Sequence, residues 1–282
     1  MKRIFSCSFF VLCGFSGEAA VLRQSNQTQS GCPLPYGMRV ARTVAGFNMV
    51  VMGDNDIVSS QIWHNGFWEI KSPQEMMPAA AMGTVTFPPT GTMLDIGANI
   101  GYFSLLFANS GYNVIAVEPM TRNRQALEAS LCLNPHLKSR IQVVSAALVA
   151  PDEVAGKRCI IKSTNAHMNV GNGFLTCGAN VQPCGAGDAN CEEVPVQTLS
   201  TTLSQLNPTS VDVVKMDIEN YECQVFAGGE VLFTKYHPKI LQVETMWGKT
   251  GQCVQDVASK YSYNAIKVGD NTGMVAKRMF LF

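Results

Sequence analysis

Residues 92–101 read TMLDIGANIG, and this stretch decides the fold. An apolar run ends at Asp95, and glycines at 97 and 101 follow before a helical pattern begins. Glycine lets the backbone approach a ligand closely, and the first turn of a helix presents free N–H groups. The order of strand, glycine loop and helix therefore predicts a ligand-binding loop at the first strand of an α/β domain.

A second acidic residue follows the next apolar run, NVIAV, and indicates which ligand the loop binds. Glu118 ends that run, 23 residues after Asp95, and Asn99 stands where a dinucleotide loop has its second glycine. An acid before the loop would repel a pyrophosphate but suits the ammonium and sulfonium of S-adenosylmethionine, while Glu118 can accept both ribose hydroxyls. We predict that this donor binds at Asp95, Gly97, Asn99, Gly101 and Glu118. Helix N-capping is the alternative for the two acids.

The rest of the chain alternates between strand and helix patterns. Three further runs have the length of buried strands: residues 141–144, 211–216 and 240–243. A helical pattern over 102–110 stops at Gly111, and Thr121 is predicted to cap a helix that ends at Leu133. Strands separated by helices form parallel crossovers. The sequence predicts a doubly wound, mostly parallel α/β sheet with helices on both faces.

Composition excludes several classes of protein. The chain has 282 residues, 46% of them hydrophobic, which is ample for a buried core. Its 21 basic and 21 acidic side chains balance, whereas a nucleic-acid binder needs a surplus of cations on one face. No apolar run reaches the roughly 18 residues of a membrane span. We expect no nucleic-acid partner and no stable membrane span once a leader is removed.

The amino terminus has the pattern of a secretory leader. Met1, Lys2 and Arg3 form a basic start, the apolar run IFSCSFFVLCGF follows, and Gly17 and Ala19 suit a cleavage site. We predict a signal peptide over 1–19, a polar linker over 20–38 with a sequon at Asn26, and one domain over 39–282. An uncleaved signal anchor is the alternative.

Cysteine usage points to the same compartment. Ten cysteines less the two in the leader give eight, an even number that suits an oxidising, secreted or secretory-lumen (Golgi included) location. Residues 151–193 interrupt the α/β rhythm as an insertion rich in glycine and cysteine. The C-x6-C-x6-C spacing there favours disulfides over a zinc site, so no metal is predicted. Cys132 and Cys223 fall in helical patterns and are expected to be buried thiols.

Five segments together resemble the FkbM family of S-adenosylmethionine-dependent methyltransferases. They are MLDIGANIGYFSLLFA (93–108), VIAVEP (114–119), VPVQTLSTTL (194–203), VDVVKMDIENYECQVFAGG (211–229) and PKILQVE (238–244). The resemblance spans about residues 66–244 and implies a seven-stranded Rossmann-like class I sheet, S-adenosylmethionine as donor and a hydroxyl acceptor. The family pattern is D-[IV]-E-G, but Asn220 replaces the glycine here. Asparagine is the best non-glycine residue at positive φ.

Two acids of this segment are the candidate catalytic residues. Methyl transfer to a hydroxyl requires an in-line geometry and benefits from a base near the acceptor. Glu219 is predicted as the general base or acceptor-orienting residue, and Asp217 as a contact to the donor or a metal; both end a strand at the ligand-binding edge. Capping of the next helix is the alternative. Glu244 and the loop residue His167 are weaker candidates.

An aromatic segment precedes the glycine loop and allows two interpretations. It contains Trp63, Phe67, Trp68 and Glu69. The resemblance implies an aromatic–acid pair close to the cofactor, whereas the residues themselves favour core packing.

These patterns lead to one principal functional hypothesis and two alternatives. The first is a methyltransferase that methylates a hydroxyl oxygen of a glycan, another carbohydrate or a small metabolite. The second is a catalytically inactive Rossmann-like interaction module of the secretory pathway. The third, a nucleotide-dependent oxidoreductase, lacks the G-x-G-x-x-G fingerprint.

Overall fold

The structure is a computed structural model. It describes residues 31–53, 56–76, 87–163, 169, 171–246 and 250–277. The predicted signal peptide over 1–19, the sequon at Asn26 and the candidate His167 lie outside the described residues.

The described chain alternates strands and helices along most of its length. The strands are β1 Met38–Arg42, β2 Asn48–Met52, β3 Thr92–Ile96, β4 Asn113–Val117, β5 Ile141–Val144, β6 Ala147–Leu148, β7 Arg158–Lys162, β8 Phe174–Gly178, β9 Cys191–Glu193, β10 Val196–Gln197, β11 Val213–Met216, β12 Ile240–Glu244, β13 Tyr263–Val268 and β14 Asn271–Ala276. The α-helices are α1 Ile57–Asn65, α2 Tyr102–Asn109, α3 Thr121–Leu133, α4 Pro135–Lys138, α5 Pro151–Val154, α6 Leu199–Leu206, α7 Glu222–Ala227 and α8 Thr250–Lys260. A 3-10 turn at Pro73–Glu75 and a π-helix at Leu232–Tyr236 complete the set.

Seven strands form the central sheet in the order β13-β14-β12-β11-β3-β4-β5. The five strands from β12 to β5 are parallel, β14 runs antiparallel to β12, and β13 runs antiparallel to β14. In the register of β11 and β3, Lys215 pairs with Asp95. The mostly parallel, doubly wound Rossmann-like sheet predicted from the sequence is confirmed.

The inner strands β3, β4, β11 and β12 bury side chains on both faces of the sheet. Alternate side chains of a strand point to opposite faces, so Met93 and Val213 enter one core cluster while Leu94 and Val214 enter the other. The first cluster contains α2, and the second contains buried residues of α6, α7 and α8. Helices on both faces explain why these strands read as continuous apolar runs rather than as alternating ones.

One predicted helix cap is wrong. Thr121 is the first residue of α3, and the residue before the helix is Met120. The backbone N–H and the hydroxyl of Thr121 both donate to the carboxylate of Glu192, which belongs to the insertion. A carboxylate from elsewhere in the chain therefore satisfies the helix N-terminus, where a negative charge is stabilising.

The insertion over 151–193 contains a small antiparallel sheet in the order β8-β7-β9. Cys159 and Cys177 are register partners on β7 and β8 and form a disulfide, and Cys184 pairs with Cys191. The disulfides predicted for this insertion are confirmed, and they occupy all three cysteines of the C-x6-C-x6-C run.

The expectation that Cys132 and Cys223 are buried thiols is wrong. Cys132 on α3 bonds to Cys32, 100 residues earlier, and Cys223 on α7 bonds to Cys253 on α8. A helical pattern reveals the phase of a cysteine on its own helix but not the segment that packs opposite. All eight cysteines outside the predicted leader are paired, which suits an oxidising compartment. Within the described residues, no helix has the length and apolar character to cross a membrane.

Candidate functional site

A cavity opens at the carboxyl ends of the parallel strands. Residues at the ends of four strands line it: Ile96 of β3, Val117 of β4, Glu244 of β12, and Asp217 directly after β11. Open α/β sheets bind ligands at this edge. The wall includes residues 97–100 of the glycine loop and the acids that the sequence singled out, but two predicted donor-binding residues, Asp95 and Gly101, are not part of it.

The glycine loop lies directly against the end of β11. Gly97 has φ of 78°, and a Cβ there would overlap the backbone carbonyl oxygen of Asp217. Gly101 has φ of 90°, and a Cβ there would overlap the side chain of Leu127. Both positions therefore require glycine for conformation and for space. The contact at Gly97 brings the predicted donor loop and the predicted catalytic segment together.

Asn99 occupies the middle of the loop in the left-handed region, with φ of 52°. Its side-chain Oδ1 accepts the N–H of Ile100 at 2.7 Å, a local bond that favours asparagine at this geometry. Its backbone N–H donates to Oε2 of Glu118 at 2.8 Å. The loop is thus tied to the end of the neighbouring strand.

Glu118 lies in the cavity wall and is 4% exposed. Its oxygens accept the N–H of Met120 at 2.9 Å and the side-chain amide of Asn123 at 3.2 Å, besides the bond from Asn99. Burial raises the pKa of Glu118 to about 7, although these donors oppose the shift. A carboxylate held by backbone N–H groups at this place has the position expected of a ribose-binding acid.

Asp95 lies beneath the loop rather than in the cavity wall. It is fully buried, Ser104 donates its hydroxyl to Oδ2 at 2.6 Å, and Oδ1 has no hydrogen-bond partner. The pKa of Asp95 is raised overall, because the effect of burial exceeds the opposing effect of the Lys215 ammonium on the adjacent strand. The cavity lining begins one residue later, at Ile96.

Three carboxylates gather at the other end of the cavity. Oxygens of Asp217, Glu219 and Glu244 lie within 4.8 Å of one another, a spacing that could hold a cation. The Lys215 ammonium already supplies positive charge there, because its Nζ lies 3.0 Å from Oδ2 of Asp217. Burial and the nearby charges of Asp217, Glu219 and Glu222 raise the pKa of Glu244 to about 9.

The segment that follows Asp217 adopts two consecutive left-handed residues. Glu219 has φ of 55° and Asn220 has φ of 75°. Asparagine at this position keeps the geometry that glycine would provide, and its Oδ1 accepts the hydroxyl of Thr250 at 3.0 Å. Helix α7 begins only at Glu222, whose own carboxylate accepts the Ile218 N–H at 3.2 Å. The turn therefore presents Glu219 to the cavity.

Lys215, Trp68 and Glu69 line the cavity, although the residue patterns alone did not predict them as parts of the site. Lys215, for which the sequence pattern predicted no role, is 6% exposed and lines the cavity from β11. Trp68 and Glu69 also line the cavity, as the family resemblance implied. Trp63 and Phe67 pack against the core and do not line the cavity. A lysine inside an otherwise apolar strand was the signal that could have revealed Lys215.

The insertion forms the cavity wall beside Glu118. Its side chains Ile161 and Leu175 line this end, and Gly171 accepts the amide of Asn123 at 3.1 Å through its carbonyl oxygen. A Cβ on Gly171 would lie 2.5 Å from Oδ1 of Asn99, so the insertion contacts the glycine loop directly. The insertion therefore packs on the side of the predicted donor site.

Two solved methyltransferase structures resemble the chain at low sequence identity. Among curated proteins, no sequence matches the chain. The C-terminal domain of precorrin-6Y C5,15-methyltransferase from Rhodobacter capsulatus is 9% identical, with 72% of this chain and 89% of that chain covered and a TM-score of 0.39. The METTL16 methyltransferase domain is 11% identical, with coverage of 84% and 86% and a TM-score of 0.44. No functional statement rests on these similarities.

One protein-family model matches the chain. The methyltransferase FkbM domain model matches residues 95–265, which is more than half of the chain. The match includes the glycine loop, Glu118, the turn at Glu219 and Glu244. The chain therefore belongs to the FkbM methyltransferase family and has its Rossmann-like class I fold.

Proposed function

We propose that the protein transfers a methyl group from S-adenosylmethionine to a hydroxyl oxygen of a carbohydrate or small metabolite. Family and fold support a methyltransferase that uses this donor. The choice of a hydroxyl acceptor rests on the carboxylates at the Asp217 end of the cavity, because transfer to oxygen requires a group that can take the hydroxyl proton.

The cavity wall beside Glu118 fits the donor's adenosyl group. Glu118 can accept the ribose hydroxyls, and the side chains of Ile161 and Leu175 offer an apolar surface to a flat ring. The amide oxygens of Asn169 and Asn172 line the same cavity, buried and without hydrogen-bond partners, so they can accept from an amine. Gly97 places no side chain in the cavity wall. When bound, the donor supplies an electrophilic methyl group on a sulfonium.

Across the cavity, the carboxylates orient the acceptor. Glu219 accepts the hydroxyl hydrogen and takes the proton as the oxygen attacks the methyl carbon, while the C–S bond electrons return to sulfur. Asp217 is held by Lys215 at 3.0 Å and faces the same space. The buried Asp95 is proposed to act on the donor's charge from beneath the loop.

The charge of the cavity favours an uncharged acceptor. Among the described residues, five carboxylates and one lysine line it: Glu69, Glu118, Asp217, Glu219, Glu244 and Lys215. An anionic acceptor such as a phosphate or uronate would meet an excess of acidic over basic groups in a low-dielectric site, even though burial raises the pKa values of Glu118 and Glu244. A neutral sugar hydroxyl can donate to the same carboxylates. The proposed partner is accordingly a neutral glycan or small molecule.

One observation supports the proposal most strongly: Glu118 follows β4 and Glu219 follows β11, on either side of β3 and its glycine loop, and both line one cavity. The test is calorimetric titration with S-adenosylhomocysteine, followed by transfer of a labelled methyl group to a panel of neutral hydroxyl acceptors. Binding with transfer that Glu219→Gln abolishes supports it. Binding without transfer favours an inactive interaction module, and binding of a nicotinamide cofactor instead favours an oxidoreductase.

We also propose a secretory-pathway location. The four disulfides support an oxidising compartment, and the leader pattern over 1–19 would direct the chain there. Amino-terminal sequencing of the protein secreted or retained by expressing cells tests this. An amino terminus after Ala19 supports cleavage, and an intact Met1 on a cytosolic, reduced chain would overturn the location.

A further inference from the structure

We propose that Lys215 is a positioning residue for methyl transfer: it holds Asp217 in place at the acceptor end, attracts Glu69 by charge, and lies beside Asp95 beneath the donor loop. The inference rests on the proposed function, and it assigns a role to a residue for which neither sequence nor family supplied one.

Lys215 occupies an interior position of the central sheet. It lies on β11 between two buried neighbours in register, Asp95 on β3 and Gln242 on β12. Side chains at paired positions of neighbouring strands lie on the same face. The lysine and the aspartate therefore leave the sheet side by side, on the face that packs against α2.

The Lys215 ammonium lies close to a carboxylate and to an aromatic ring. Nζ lies 3.0 Å from Oδ2 of Asp217 and 5.0 Å from the ring centroid of Phe103. Burial lowers the pKa of Lys215, but the charges of Asp217, Asp95 and Glu69 raise it by more, so the net shift is upward. The lysine is a fixed cation rather than a titrating base, and it keeps its proton throughout the reaction.

The carboxyl groups around Lys215 come from four different segments of the chain. Glu69 follows α1, Asp95 belongs to β3, Asp217 follows β11, and Glu244 ends β12; all four feel the charge of Lys215. Among the described residues that line the cavity, Lys215 is the one lysine or arginine. Its removal would take away the one positive charge among these four carboxyl groups.

These contacts connect the two ends of the site. Asp217 bonds to Lys215 through its side chain, and its backbone carbonyl oxygen lies against Gly97 of the glycine loop. A change in the orientation of Asp217 would therefore alter the positions of both the donor loop and the acceptor carboxylates. Lys215 contributes by fixing this geometry and by opposing the upward pKa shifts of Glu69, Asp95 and Glu244.

The kinetic test compares Lys215→Met and Lys215→Arg in the full chain with Lys239→Met. Lys239 forms a similar pair with Asp212, at 3.3 Å, at the opposite end of the same strands. We expect Lys215→Met to lower kcat about 100-fold and to change the KM for S-adenosylmethionine less than about threefold. The acid limb of its pH–rate profile should move to higher pH, and Lys215→Arg should restore the limb. An unshifted limb, or equal loss in the Lys239→Met control, would overturn the proposal.

A second measurement does not depend on turnover and separates this inference from the proposed function. Without Lys215 the pKa values of Asp95 and Glu69 rise further above their unfolded values, so Lys215→Met loses stability as pH rises through them. We expect its melting temperature to fall below that of the wild type by more at about pH 8 than at about pH 5. A pH-independent difference contradicts the inference, even if no acceptor is ever methylated. A variant that folds only at low pH supports it, and one that folds at neither pH contradicts it.

Discussion

Lys215 and Asp95 lie side by side in the central sheet as register partners on the parallel strands β11 and β3, both almost completely buried. Asp95 lies beneath the glycine loop, and Lys215 reaches Asp217 at 3.0 Å in the cavity. One pair of neighbouring residues thus links the predicted donor loop to the predicted catalytic acids. The pair therefore places an acid beneath the predicted donor loop and a cation beside Asp217.

Gly97→Ala should abolish donor binding, whereas Gly111→Ala should have little effect on it. Both glycines have positive φ, 78° and 98°, so both substitutions incur backbone strain of about 1 kcal/mol. Only at Gly97 would the added Cβ overlap the carbonyl oxygen of Asp217, since nothing lies within 4 Å of a Cβ at Gly111. Titration with S-adenosylhomocysteine measures the difference. Equal affinities in the two variants would show that the loop need not lie against β11.

Stability should fall as pH rises toward neutrality, because buried acids must ionise. Burial raises the pKa values of Glu118 and Glu222 to about 7, above the values that they have when unfolded. Each raised carboxyl stabilises the fold below its unfolded pKa, and that contribution is lost as pH approaches about 7. Glu118→Gln should reduce this loss of unfolding free energy by up to about 3 kcal/mol. Denaturant titrations from acid to neutral pH check the slope; an unchanged slope in the variant contradicts the assignment.

Glu219→Gln should lower turnover and spare donor affinity. The amide retains the shape of the side chain but cannot take the hydroxyl proton, so we expect kcat to fall about 100-fold or more. Glu230→Gln is the matched control, since Glu230 pairs with Lys260 on the exposed surface. Steady-state kinetics with a methylated acceptor, alongside calorimetry, measures both parameters. A loss of donor affinity as large as the loss of kcat would remove Glu219 from the acceptor role.

The Cys32–Cys132 disulfide should stabilise the fold strongly, because it closes a segment of 100 residues. The chain-entropy model gives about 4–5 kcal/mol for a loop of that length. The double variant Cys32→Ala with Cys132→Ala should lose most of this in guanidinium titrations. The pair Cys184→Ala with Cys191→Ala, whose disulfide spans 7 residues, should lose less. Equal losses would point to native-state packing rather than to loop closure.

The sequence predicted the parts of the site that depend on neighbours along the chain. The glycine loop, Asn99 in its left-handed turn and Glu118 at the end of β4 all followed from short patterns, and the structure brings them to one cavity. Asn220 likewise adopts the positive φ that its place in the family pattern implied.

Relationships across the sheet could not be predicted in this way. Lys215 faces Asp95 only because β11 pairs with β3 in one register, over 120 positions of sequence. The disulfides of Cys132 and Cys223 and the Glu192 carboxylate that meets Thr121 depend on similar long-range packing. A single sequence contains the residues but not these distances.

Donor binding through Glu118 tests the central claim most directly. Calorimetric titration of the folded protein with S-adenosylhomocysteine should show one site per chain, and Glu118→Ala should weaken it at least about tenfold, a loss of about 1.4 kcal/mol. The backbone N–H groups of Asn99 and Met120 would lose their acceptor in that variant, so its folding is verified by circular dichroism. Absence of binding at millimolar ligand, or equal affinity in the Glu118→Ala variant, would contradict a donor site in this cavity.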